Sequence, residues 1–143
     1  MDGERNAQEV LGVECATGGE RLVVPSSAID QIVEVEVAPL PLAPPFVLGL
    51  AVRGDELVLT VSAGRHVAAT SRGVTKAVLL TNTGMPMRVA VAIDEVISFV
   101  KASVRGDEGR SWKRRATSSD GREVAWVDVE RLGLALRAAG DSQ

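Results

Sequence analysis

The feature that most limits what this chain can become is its punctuation: short, valine-rich apolar runs are cut again and again by Gly, Asn, Ser and Pro. Ile32–Val37 shows the pattern at its cleanest, with Val33, Val35 and Val37 alternating against Glu34 and Glu36. A period of two puts successive side chains on opposite faces, so this run is a half-buried strand. The same reasoning predicts strands over 8–15, 21–24, 56–61, 77–81, 88–93, 112–117 and 122–127, with a core element resuming over 46–51. Gly18-Gly19, Asn82-Thr83-Gly84 and Ser119-Asp120-Gly121 supply turns between them. Ser26 or Ser27 can cap a short helical turn over 28–31, and Asp94 opens a short element over 95–100. Asp128 is a good N-cap for a helix over 129–139, whose Leu132 and Leu136 share a face; Gly133 weakens that helix and Gly140 ends it. Roughly nine short strands with regular turn signals imply a barrel or sandwich rather than an α/β fold. A strand, a Gly turn, a strand and a short capped element occur near 8–32 and again near 77–100, an echo that two similar small barrels would explain.

Between the third and fourth of these runs lies Ala38–Pro45, with four prolines in eight residues. Proline fixes φ and lacks an N–H, so the segment is a stiff, extended connection and neither helix nor inner strand. A hydrophobic fraction of 45% supports a core without metal or disulfide, and with two Phe, two Trp and no Tyr that core is aliphatic. Cys15 is the only cysteine, which points to a reducing compartment, and the polar start 1–6 does not read as a secretory signal. The expected location is cytoplasmic, with no direct membrane insertion, because the apolar stretch 38–52 is broken by proline and too short to span a bilayer. The net charge of −3 argues against general nucleic-acid binding. Residues 1–64 carry three basic and ten acidic side chains, and residues 65–143 carry thirteen and nine. That asymmetry reads either as solvated faces or as opposite-sign patches suited to head-to-tail contact.

Three segments in order resemble the CheW-like domain family. Over 29–54 the family runs from a helical turn ending in V-x-E-[IV], through P-x-P-G-A-P, to a hydrophobic stretch closing in N-L-R-G. Here the same order reads Ile29-Asp30-Gln31-Ile32, Pro39-Leu40-Pro41-Leu42-Ala43-Pro44, Phe46-Val47-Leu48-Gly49 and Val52-Arg53-Gly54. Val89–Val96 is similar to the family's V-G-x-x-V-D-x-V, and Asp120-Gly121 through Leu132 to its D-G-x-x-x-x-L-D-x-x-x-L ending. Departures are local: Gln31 stands for Glu, Leu42 for Gly, the Asn before L-R-G is missing, and Val13 and Leu22 replace first-hairpin aromatics. The resemblance implies a mostly β fold of two five-stranded, SH3-like barrels sharing a hydrophobic seam, with a short C-terminal helix. It implies a single domain over 1–143, with approximate lobes at 20–70 and 75–137 and a terminal strand that can be exchanged between them; the most polar stretch, 101–111, reads from its own residues as a mobile loop. It also implies a non-enzymatic adaptor without cofactors, coupling methyl-accepting chemoreceptors to a CheA-type histidine kinase. The partners are then the kinase regulatory domain, the receptor signalling tip and other CheW-like domains.

The candidate partner-binding residues under that resemblance are Ile29, Gln31, Ile32, Pro41, Pro44, Val52, Arg53 and Gly54. Arg53 on a Gly turn offers a forked donor to a partner's carboxylate or carbonyls, and prolines beside it would hold the docking edge rigid. Each has a plainer reading: Arg53 as a solvated loop residue, Ile29, Ile32 and Val33 as core, the prolines as structure. Asp94 and Asp128 are better explained as caps than as a catalytic pair. His66, the only histidine, lies in a polar loop and lacks the company that a triad or metal site needs. Two alternatives remain. One is a diverged relative that has lost kinase or receptor binding. The other is a small barrel binding nucleic acid or sugar, supported only by Trp112 beside Lys113-Arg114-Arg115.

Overall fold

A computed structural model describes residues 8–63, 74–105 and 111–141. Ten strands appear among the described residues: β1 (Gln8–Thr17), β2 (Glu20–Pro25), β3 (Ile29–Ala38), β4 (Val47–Arg53), β5 (Glu56–Ser62), β6 (Val74–Leu80), β7 (Arg88–Ile93), β8 (Glu95–Val104), β9 (Lys113–Ser118) and β10 (Glu123–Val127). One helix, α1 (Val129–Asp141), closes the chain's described part. The strands form two closed barrels, ordered β1-β2-β10-β9-β8 and β3-β4-β5-β7-β6.

Both barrels are built by one rule. Each combines a hairpin (β1–β2 or β6–β7) with a three-stranded meander (β8–β10 or β3–β5), joined on one side by a parallel pair, β2 with β10 or β5 with β7, and on the other by an antiparallel pair, β1 with β8 or β6 with β3. Even the irregularities match: β3 skips Asp30 opposite Leu80 and Leu79, and β8 skips Ile97 opposite Cys15 and Glu14. The echo legible near 8–32 and 77–100 is therefore a structural repeat, but each repeat's hairpin completes the barrel of the other's meander. That interleaving corrects the lobes expected at 20–70 and 75–137. The second barrel comes from the middle of the chain, and the first from both of its ends. It also mixes the acidic and basic halves, because β1 and β2 of the acidic half pair with β8 and β10 of the basic half.

Alternation along each strand sorts side chains into three cores. Val35, Val37, Ala51, Val58, Ala77, Leu79 and Ala90 fill the second barrel, while Val23, Ala102, Val104, Ala116 and Val124 fill the first. The opposite faces meet in a larger seam that joins Val13, Cys15, Leu22 and Val24 to Leu59, Val61, Val78, Val89 and Val91. Leu132 and Leu136 of α1 cap that seam, as their shared face predicts. At one end Phe46 and Trp112 meet at a tilt, with ring centroids 6.1 Å apart. Gly133 lets α1 approach the β6–β7 loop: a Cβ there would stand 1.8 Å from the Thr83 carbonyl oxygen.

Several local expectations shift. The helical turn expected over 28–31 is a 3-10 turn over Ser26–Ala28 without a side-chain cap, and β3 already begins at Ile29. Ser26 Oγ instead donates to the Leu11 carbonyl at 3.0 Å, tying the crossover to β1. Asp94 caps no helix; between two strands, its Oδ2 accepts from the Gly18 amide at 2.8 Å and fastens the β1–β2 turn. Asp128 does cap α1, accepting from the Arg131 amide at 3.0 Å. The loop expected over 101–111 gives way at its start, because β8 runs to Val104 beside an equally long β1, with Ala102 and Val104 inward. The loop-like reading of 62–76 gives way at Val74, where β6 begins, and 64–73 and 106–110 lie outside the described residues.

Cys15 is fully buried in the seam. Burial, and next the neighbouring Glu14 carboxylate, push its thiol up to about 12. A thiol raised above its unfolded value of roughly 8.5 favours the fold below that pH, and the contribution is lost as pH climbs from there towards the folded value. Folded protein at pH 8 is therefore expected not to react with an aromatic disulfide reagent, and unfolded protein to react fully. Rapid labelling of the native chain would show that the seam opens readily at β1.

Candidate functional site

The β4–β5 hairpin needs a left-handed residue at its turn, and Gly54 supplies it at φ +62°. Arg53 therefore projects from the strand end and donates from Nη2 to Gln31 Oε1 at 3.0 Å. Gln31 sits in β3 just past the skipped Asp30, whose carboxylate turns to Arg88 at the start of β7. Arg88 also reaches Glu56 Oε2 at 3.3 Å, so a single guanidinium ties β3, β5 and β7 together. The bond to Asp30 first, and the Glu56 charge with it, hold that guanidinium still more firmly protonated than usual. Around this polar cluster the outer face is apolar and open. Val52, 69% exposed, stands directly opposite the exposed Leu57, and Ile32 is exposed beside Gln31.

One end of the second barrel thus gathers Gln31, Ile32, Val52, Arg53 and Gly54. Ile29 is half-buried against the seam and belongs to the core. Pro41 and Pro44 lie elsewhere: their loop enters β4 at Val47, whereas Arg53 ends it, so the prolines cannot stiffen the Arg53 edge. Pro44 is half-buried and its carbonyl accepts from the Val47 amide at 2.9 Å. Asp30, Glu56, Leu57 and Arg88 were not singled out in the sequence, because only the barrel's closure brings four separate strands to one end.

The first barrel presents a second open apolar stretch. Val96, Ile97 and Phe99 are exposed in β8, Phe99 at 76%, and Leu11 is exposed on β1 alongside. Ile32 and Phe99 occupy equivalent places in the two repeats, each three residues beyond the one that pairs with Leu80 or Cys15.

The basic stretch after Trp112 is largely engaged. Trp112 is buried in the seam and offers no stacking face to a base or sugar. Lys113 donates to the Ala63 carbonyl and lies 3.8 Å from Glu20. Arg114 stacks 5.1 Å from the Trp126 ring centroid and pairs with Asp128 at 3.5 Å. The nucleic-acid or sugar reading loses its aromatic platform. His66 lies outside the described residues. Among the described residues, no helix is long and apolar enough to cross a membrane.

Comparison with known proteins agrees with this architecture. The family model described as the CheW-like domain matches residues 11–135. Among solved structures, the chain is similar to the scaffolding protein TtCheW from Thermoanaerobacter tengcongensis, with 11% identity and a TM-score of 0.56, covering 84% of this chain and 89% of that one. A search of curated proteins finds no match.

Proposed function

Because the chain belongs to the CheW-like domain family, whose members are non-enzymatic scaffolds of chemotaxis signalling, we propose that it couples a chemoreceptor tip to the regulatory domain of a CheA-type histidine kinase in the cytoplasm. The observation that carries this reading is the Arg53–Gln31 hydrogen bond, flanked by the exposed chain neighbours Ile32 and Val52 and by Leu57 opposite Val52. A held guanidinium so flanked has the makings of a binding hot spot: a forked donor aimed outward, with apolar neighbours that can exclude water around it.

The test is capture of purified receptor tip and kinase regulatory domain, each titrated against the wild-type chain and Arg53→Ala. Both proteins should bind, and Arg53→Ala should weaken one of them about tenfold, or about 1.4 kcal/mol, with the melting temperature unchanged. Binding of neither protein would remove the coupling role. A second reading, loss of one partner, is favoured by Gln31 at the family's Glu position, where the contact to Arg53 survives without its charge. It is supported if only one protein binds.

A further inference from the structure

The connection from β3 to β4 holds a residue that the fold does not explain. Leu42 adopts φ +60°, a left-handed conformation that side chains with a Cβ avoid, and it is 92% exposed. Nothing in the core holds its side chain there. The turn around it is stiff, since Pro39, Pro41, Pro44 and Pro45 fix four φ angles and restrict the residues before them. Its base is clamped, with the Val47 amide on the Pro44 carbonyl at 2.9 Å and the Ser62 amide on the Phe46 carbonyl at 2.8 Å. No residue from Ala38 to Val52 is charged, and Leu40 beside the apex is also exposed.

From this strained, fully presented leucine on a clamped proline turn, we infer that the β3–β4 loop is a second docking surface, whose Leu42 side chain inserts into an uncharged, apolar pocket on a protein partner. Strain kept at an exposed position signals a use outside the fold. Rigidity limits the entropy lost on docking, and the absence of charge along the loop fits a pocket without charge. The loop and the Arg53 turn flank opposite ends of β4, so the two surfaces can be occupied together, as an adaptor requires. This inference rests on the coupling reading and gives it a second point of attachment.

The experiment repeats both titrations with Leu42→Gly and Leu42→Ala. Glycine relieves the backbone and deletes the side chain, while alanine deletes the side chain and leaves the backbone strained. Both variants should weaken by tenfold or more the partner that Arg53→Ala spares, and only Leu42→Gly should raise the melting temperature. A binding loss with a stability gain is a combination that a merely structural role would not produce. If both proteins bind the variants as tightly as wild type, the docking role is overturned while the coupling role stands. If wild type binds neither protein, both fall together. Binding of the chain to neutral phosphatidylcholine vesicles, lost in both Leu42 variants, would overturn the protein-pocket assignment in favour of a lipid surface.

Discussion

Replacing Gly133 with alanine will lower the stability of this protein by about 3 kcal/mol, although the same change in an exposed helix raises it by roughly 1 kcal/mol. The sign reverses because the new Cβ would stand 1.8 Å from the Thr83 carbonyl oxygen and 3.0 Å from its carbon. Neither atom is the movable end of a side chain. Either α1 lifts from the β6–β7 loop or the loop retreats, and both loosen the cover that Leu132 and Leu136 provide for the seam. A fall of about 10 °C in melting temperature is the expected reading, with Leu134→Ala on the exposed side of α1 as a near-neutral control. A rise in melting temperature would mean that α1 does not pack on Thr83.

The second large effect concerns Glu14, a carboxylate only 1% exposed inside the end of the first barrel. It pairs across the ladder with Val23, so its side chain enters on the core face. Arg122 Nη2 donates to both its oxygens, at 3.4 and 3.3 Å, and Arg21 Nη1 lies 3.5 Å away. Arg122 also holds Asp120 at 2.9 Å; that carboxyl is kept below its usual range first by the Ser118 hydroxyl and then by Arg122. Arg122→Ala should cost about 2–3 kcal/mol, since it strands a buried charge with one remaining partner. That is at the low end for a broken buried pair, because Arg122 is itself 48% exposed and solvent screens it. Glu14→Leu should be nearly neutral. The equivalent place in the other repeat is Leu79, and replacing a buried charge by an apolar side chain of similar size removes desolvation along with attraction. Urea denaturation of both variants decides the matter: if Glu14→Leu costs more than Arg122→Ala, the carboxylate does more than fill space and bind arginine.

What could be read in the sequence was local in its physics. The alternation of Ile32–Val37, the Gly turns, the Asp128 cap and the doubled hairpin all rest on neighbours within a few residues, and the fold keeps them. Misreadings came where distant segments decide. Gly133 looked like a flaw in a helix because Thr83, which needs its missing Cβ, lies far away in the chain. Trp112 beside three cations was the sole support for a nucleic-acid or sugar site, yet the seam claims it and sets it against Phe46. Pro41, Pro44 and Arg53 looked like one docking edge, but they lie at opposite ends of the seven-residue β4, roughly 20 Å of strand. The Gln31–Arg53 pair was within reach, since the family pattern places both; Arg88 and Glu56 were not, because they meet only when β5 and β7 pair in parallel.

The exchange of hairpins between repeats also sets the order of events at the ribosome. β2 (Glu20–Pro25) completes its barrel only with β10 (Glu123–Val127), which is made much later. At roughly 5–20 residues per second, the first hairpin waits on the order of 5–20 s with Leu22 and Val24 uncovered. During that interval the open edge of the first hairpin is available to the second half of a neighbouring nascent chain as well as to its own. Dense polysomes would then yield entangled dimers that dilute refolding does not.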